Sequence, residues 1–156
     1  MPSTLRLLPA CVMLLSGCMS SLRNMDDVPV YNTSLAQDFL LLNIQARADR
    51  SPADEWRSCD RTLRLGYGDC EDFASCAWQL VASWRGCISE ILVVQGSSML
   101  HAVTTVTCEN GLNGYFDNGV WVNGNAHLDY PVVQTANQWL RTKRAAQLAA
   151  RTFSSL

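Results

Sequence analysis

The chain has 156 residues, of which 48% are hydrophobic and 17% charged, and its net charge is −2. That length suits one domain, and the composition suits a packed core rather than a disordered chain. A slightly acidic balance argues against nucleic acid as the main partner.

The first segment reads as a targeting signal. Arg6 is followed by an apolar run from Leu7 to Leu15, too short to span a bilayer comfortably. Leu15-Ser16-Gly17-Cys18 resembles the lipobox of bacterial lipoproteins. The resemblance implies cleavage before Cys18, lipid on Cys18, and a signal peptide spanning 1–17. Met19 stands where aspartate would retain such proteins at the inner membrane, so the outer membrane is expected. The competing reading is an ordinary secretory signal with a chance cysteine.

The rest reads as a tether over 18–33 and one domain over 34–156. Residues 20–33 are polar and aperiodic, with Pro29 among them. Ser34-Leu35-Ala36-Gln37 has the form of a capping box. Leu35, Phe39, Leu42 and Ala46 then predict a helix that ends near Asp49, before Pro52. Residues 54–64 carry Trp56 and Cys59 in a charged short helix or loop.

Leu65-Gly66-Tyr67-Gly68-Asp69-Cys70-Glu71-Asp72-Phe73-Ala74 is a glycine-bracketed turn that delivers a cysteine to a helix start. Phe73, Ala77, Leu80, Val81 and Trp84 form the buried stripe of that helix. Asp69 is the expected N-cap, Asp72 the capping-box acid, and Gly86 the stop. Unpaired N–H groups at a helix N-terminus favour a thiolate at Cys70. The alternative is a structural cysteine beside an ordinary cap.

After Gly86 the period changes from helix to strand. Ile91-Leu92-Val93-Val94 lies in a strand over 88–95, Gly96-Ser97-Ser98 in a turn, and Leu100 to Cys108 in a second strand. Two Asn-Gly pairs between Glu109 and Gly114 predict a hairpin. Tyr115–Asp117 and Val120–Val122 are further strand segments, broken by Asn118-Gly119, with another turn at Asn123-Gly124. A last helix starts at Gln134 or Thr135. Trp139, Leu148 and Ala149 lie on its inner face, and Arg141, Lys143, Arg144 and Arg151 on its solvated face. Trp78 and Trp121 read as core or cleft wall, and His127 as a loop residue at the surface, with the cleft lining as the alternative. The fold class is α+β, with helices packed on an antiparallel sheet.

The chain has seven cysteines. With Cys11 in the signal and Cys18 acylated, Cys59, Cys70, Cys76, Cys87 and Cys108 remain. An odd count in an oxidising compartment predicts two disulfides and one free thiol. If Cys70 is free, the other four allow three pairings. No C-x-x-C pair is present, which speaks against zinc.

His101 and His127 are the two histidines of the chain. A hairpin folded at Glu109-Asn110 sets His101 across from Asp117 on one sheet face, or diagonal to it if the register slips. A carboxylate there fixes the imidazole tautomer. Packed on the Cys70 helix, the three side chains form a Cys-His-Asp set. The plainer alternative is a hydrogen-bonded strand histidine and a turn aspartate.

Gly68-Asp69-Cys70-Glu71-Asp72-Phe73-Ala74, His101-Ala102-Val103 and Phe116-Asp117-Asn118 resemble the bacterial transglutaminase-like cysteine proteinases. The likeness runs from about Trp56 to Trp139 and includes Tyr130-Pro131 and Asn137-Gln138-Trp139. It implies a papain-like, transglutaminase-core fold with Cys70 as nucleophile, His101 as base and Asp117 as orienting acid. It also implies calcium at Asp69 and Glu71, protein or peptide substrates in the cell envelope, and a regulatory inner-membrane receptor. Three carboxylates around a thiolate need neutralising, which agrees with a cation. The short domain, the lipobox and the extra cysteines depart from the family pattern. The readings that follow are a lipid-anchored cysteine peptidase, an acyl transferase to amines, or a non-catalytic binding lipoprotein of the same fold.

Overall fold

The computed structural model describes residues 31–48 and 55–153. The lipobox with Cys18, the tether up to residue 30, and Asp49 and Pro52 lie outside the described residues. The architecture is α+β. Helix α1 (Thr33–Asn43), α2 (Cys59–Leu65) and α3 (Cys70–Val81) precede strands β3 (Cys87–Gln95), β4 (Leu100–Cys108), β5 (Asn113–Asp117) and β6 (Val120–Asn123). A short α4 (Ala126–Asp129), strand β7 (Val132–Thr135) and helix α5 (Ala136–Phe153) complete the chain. The five longer strands form one antiparallel sheet in the order β6-β5-β4-β3-β7. Two-residue strands β1 (Gln45–Ala46) and β2 (Tyr67–Gly68) pair in parallel beside it. Among the described residues no helix is long and apolar enough to cross a membrane.

Strand alternation divides the core between the two faces of the sheet. On one face Phe39 and Leu40 of α1, Phe73, Ala77 and Leu80 of α3, and Val106 and Phe116 of the sheet form one buried cluster. On the other, Leu92, Val94, Val103, Tyr115 and Ala126 form a second. Thr104, fully buried, donates from its hydroxyl to the Ala74 carbonyl at 2.7 Å and so fixes β4 against α3.

Several local expectations change. The cap of α1 is Asn32, whose side chain accepts from the Leu35 N–H at 2.9 Å, rather than Ser34. Gln37 makes no capping box because its Oε1 accepts the Trp121 N–H of β6 at 2.8 Å. Helix α1 stops at Asn43 because the chain turns out to pair with β2. Helix α3 ends at Val81, five residues before Gly86, in turns closed by Ser83 Oγ and the Trp84 N–H. Gly86 keeps a positive φ of 68° just before β3. Asn118 and Gly119 both take positive φ, the requirement of a tight hairpin turn, where a side chain at 119 would strike Phe73. Strand β7 was not expected. It is a four-residue edge strand with no strong alternation.

Two disulfides join Cys59 to Cys76 and Cys87 to Cys108, and Cys70 is a free thiol. The first ties α2 to α3; the second ties the start of β3 to the end of β4.

Candidate active site

Cys70 is the first residue of α3, and Asp69 is its N-cap, without a side-chain capping bond. The turn before it depends on Gly68. A Cβ at that position would lie 2.5 Å from Asp72 Cβ and 2.7 Å from Asp72 Oδ2. Asp72 is fully buried and is not a capping-box acid. It pairs with the Arg57 guanidinium and accepts the Arg57 N–H at 3.2 Å. Burial pushes the Asp72 carboxyl up, and the Arg57 N–H and charge oppose that push. The result is a rigid corner that sets the start of α3 against the segment before α2.

His101 and Asp117 come together. The β4–β5 register pairs Val103 with Asp117, so His101 lies diagonal to Asp117 rather than opposite it. The slip arises at the turn, where the Cys108 N–H bonds the Leu112 carbonyl and Gly111 takes a positive φ. The diagonal is within reach on one face. His101 Nε2 lies 2.7 Å from Asp117 Oδ1, and the Tyr130 hydroxyl donates to Asp117 Oδ2, also at 2.7 Å. The His101 bond, with help from Tyr130, holds the Asp117 carboxyl below the usual carboxylate range. An ionised Asp117 is an acceptor only, so His101 donates from Nε2 and keeps a lone pair on Nδ1.

The sulfur of Cys70 reaches the same strand. The Ala102 N–H, of the residue after His101 on β4, faces the sulfur and favours its ionised form, so the thiol of α3 and the imidazole meet at the start of β4. The thiol proton goes to Glu71 Oε2 at 3.3 Å. Glu71 is 4% exposed. The expectation of a thiolate favoured by the helix N-terminus is overturned. Burial above all, then the Glu71 and Asp69 carboxylates, push the Cys70 thiol up to about 12 against the pull of the Ala102 N–H. The resting sulfur is therefore a neutral thiol.

Asp69 and Glu71 flank that sulfur. Asp69 Oδ1 is buried with no hydrogen-bond partner among the described residues, a feature that favours a cation. No group of three or more His, Cys, Asp or Glu side chains among the described residues is arranged to hold a metal. Any calcium shell here would rest on two carboxylates, completed by backbone carbonyls and water.

The remaining candidates lie elsewhere. His127 is exposed on α4, whose cap Asn125 accepts its N–H at 3.0 Å. Trp121 packs edge-on against Phe116 at 5.1 Å. Trp78 is 46% exposed and walls a cavity of about 940 Å³, together with Trp56, Ile88, Glu90 and His127. None of Cys70, His101 and Asp117 lines that cavity. Two contacts escaped sequence reading. The Arg57–Asp72 pair joins a segment without periodicity to a position that looked like a cap. Tyr130 falls after a short helix, and no spacing rule links it to Asp117.

No model of a known protein family matches the chain, and no curated protein sequence matches it.

Proposed function

We propose that the chain is a lipid-anchored envelope thiol hydrolase, a cysteine peptidase working through Cys70, His101 and Asp117. The observation that carries the reading is the 2.7 Å His101–Asp117 bond between residues 16 apart, on the strand whose next N–H faces the Cys70 sulfur. In this mechanism His101 Nδ1 takes the Cys70 proton as sulfur attacks a peptide carbonyl. Asp117 holds the imidazole in the productive tautomer and supports its charge. N–H groups at the start of α3, that of Cys70 included, face the developing oxyanion. The imidazolium then protonates the leaving amine, and water releases the thioester. The sheet with a cysteine-bearing helix against its histidine strand is the arrangement expected of a papain-like, transglutaminase-core fold.

Calcium enters the proposal through Asp69 and Glu71. It would neutralise the carboxylates that oppose the thiolate. Chelation followed by calcium add-back should suppress and restore thiol reactivity and shift the melting temperature. Indifference of both to chelator removes the cation. The Cys18 lipid would confine the enzyme to the periplasmic face of the outer membrane, with substrates on that face and an inner-membrane receptor as regulator. Membrane fractionation of Cys18→Ser tests the anchor.

Two other readings use the same residues. A thioester can be released by an amine instead of water, and the same three residues would serve acyl transfer. The neutral, Glu71-bound thiol suits a non-catalytic binding lipoprotein. Mass analysis of an unfolded protein substrate after incubation separates all three. Fragments that have gained water support the peptidase, joined chains support the transferase, and an unchanged substrate supports the binding protein.

A further inference from the structure

We propose that Tyr130 is a positioning residue for this site, acting on His101 through Asp117; the inference rests on the thiol-hydrolase reading above. Asp117 has two oxygens, and each has one committed donor. His101 Nε2 holds Oδ1 and the Tyr130 hydroxyl holds Oδ2, both at 2.7 Å. A carboxylate anchored at one oxygen can turn about its Cβ–Cγ bond; anchored at both, its plane is set. The point matters because the Asp117 side chain is 23% exposed and that of His101 17%, so water can compete for either oxygen.

Tyr130 is itself held in place. It follows α4, and its N–H closes that helix on the Ala126 carbonyl at 2.9 Å. Its ring lies 6.2 Å from the His101 ring and edge-on to Tyr115 at 6.1 Å. The Tyr115 hydroxyl is in turn bound to Asp129 Oδ2 at 3.0 Å. The ring contacts would be met equally by phenylalanine. The hydroxyl alone is specific to Asp117, and that bond, with burial, keeps it a protonated donor by raising it to about 12. The arrangement makes His101 keep its proton on Nε2 and leaves the Nδ1 lone pair free to act as the base.

The test is the histidine tautomer in the full chain, read by long-range proton–nitrogen NMR at neutral pH. Two histidines are present, and His127→Gln assigns them. In the parent, His101 should carry its proton on Nε2. In Tyr130→Phe a mixture of tautomers should appear, and the Nε2 proton should exchange with water about tenfold faster, the size expected for losing one hydrogen bond to a charged acceptor. An unchanged tautomer and exchange rate in a folded Tyr130→Phe overturns the role of Tyr130 and leaves the thiol-hydrolase reading standing. A parent without the Nε2 proton overturns both. If Tyr130→Phe does not fold, the Tyr130 hydroxyl proton decides. It should be protected from exchange in the parent and exposed in Asp117→Ala, and an unprotected parent hydroxyl overturns the proposal.

Discussion

Replacing Glu71 by glutamine removes a charge beside the sulfur while keeping the side chain's shape. Glu71 Oε2 lies 3.3 Å from Sγ. At that distance a carboxylate and a thiolate repel by about 5 kcal/mol at an effective dielectric of roughly 20. Cys70 is half-buried, and solvent screening reduces that figure several-fold. A second bound comes from the thiol itself, which rises from 9.0 to about 12 with burial as the largest cause and Glu71 behind it. Glu71 is a lesser cause than burial, and taking the screened repulsion as roughly 1.4 kcal/mol gives a shift of about one pH unit. The charge disfavours thiolate, so Glu71→Gln lowers the midpoint of the pH–rate profile for Cys70 alkylation by iodoacetamide. Below both midpoints the thiolate fraction rises about tenfold, while the weaker base is roughly threefold less nucleophilic. The net expectation is alkylation about threefold faster at fixed pH, with Cys70→Ser as background. A midpoint that stays put, or moves up, would refute the claim that Glu71 adds to burial in holding the thiol neutral.

Other consequences can be measured on the same protein. Replacing Cys59 and Cys76 together by serine opens a loop with a sequence separation of 17 and should cost about 3 kcal/mol in urea unfolding; a loss under about 1 kcal/mol would contradict the tie between α2 and α3. Gly68→Ala drives a Cβ into Asp72 and should displace it from Arg57, lowering stability by about 3 kcal/mol; an unchanged melting temperature would mean the corner is not rigid. Asp117→Ala should slow turnover roughly a hundredfold, on the scale of general-base catalysis, with less effect on binding; a rate near that of the parent would leave Asp117 a turn residue.

Much of the fold is legible because β-branched runs and glycine turns act locally. Strand β4 and the Asn118-Gly119 turn follow from residue types alone. The Cys70 helix start is legible too, since Gly66, Gly68 and Asp69 interrupt the chain just where an amphipathic stripe begins. The His101–Asp117 pairing is legible only to within two residues, because register is decided by how Cys108 to Leu112 close the turn. The ends of α1 and α3 are not legible. Gln37 is drawn to the Trp121 N–H, and α3 stops at turns that no glycine announces. The charge state of Cys70 is least legible of all. A helix N-terminus predicts thiolate, yet burial of the sulfur, and behind it the Glu71 carboxylate, come from tertiary packing and reverse the sign.

The central claim is that Cys70 is a nucleophile served by His101 and Asp117. The most direct test is the rate at which a peptidyl vinyl sulfone labels Cys70 in the parent, in Cys70→Ala and in His101→Ala, each set against its melting temperature. The account predicts labelling confined to Cys70, abolished in Cys70→Ala and reduced at least a hundredfold in a His101→Ala variant that still folds. Labelling in folded His101→Ala at the parent's rate, or a His101→Ala chain that unfolds, would contradict it and make His101 a structural strand histidine.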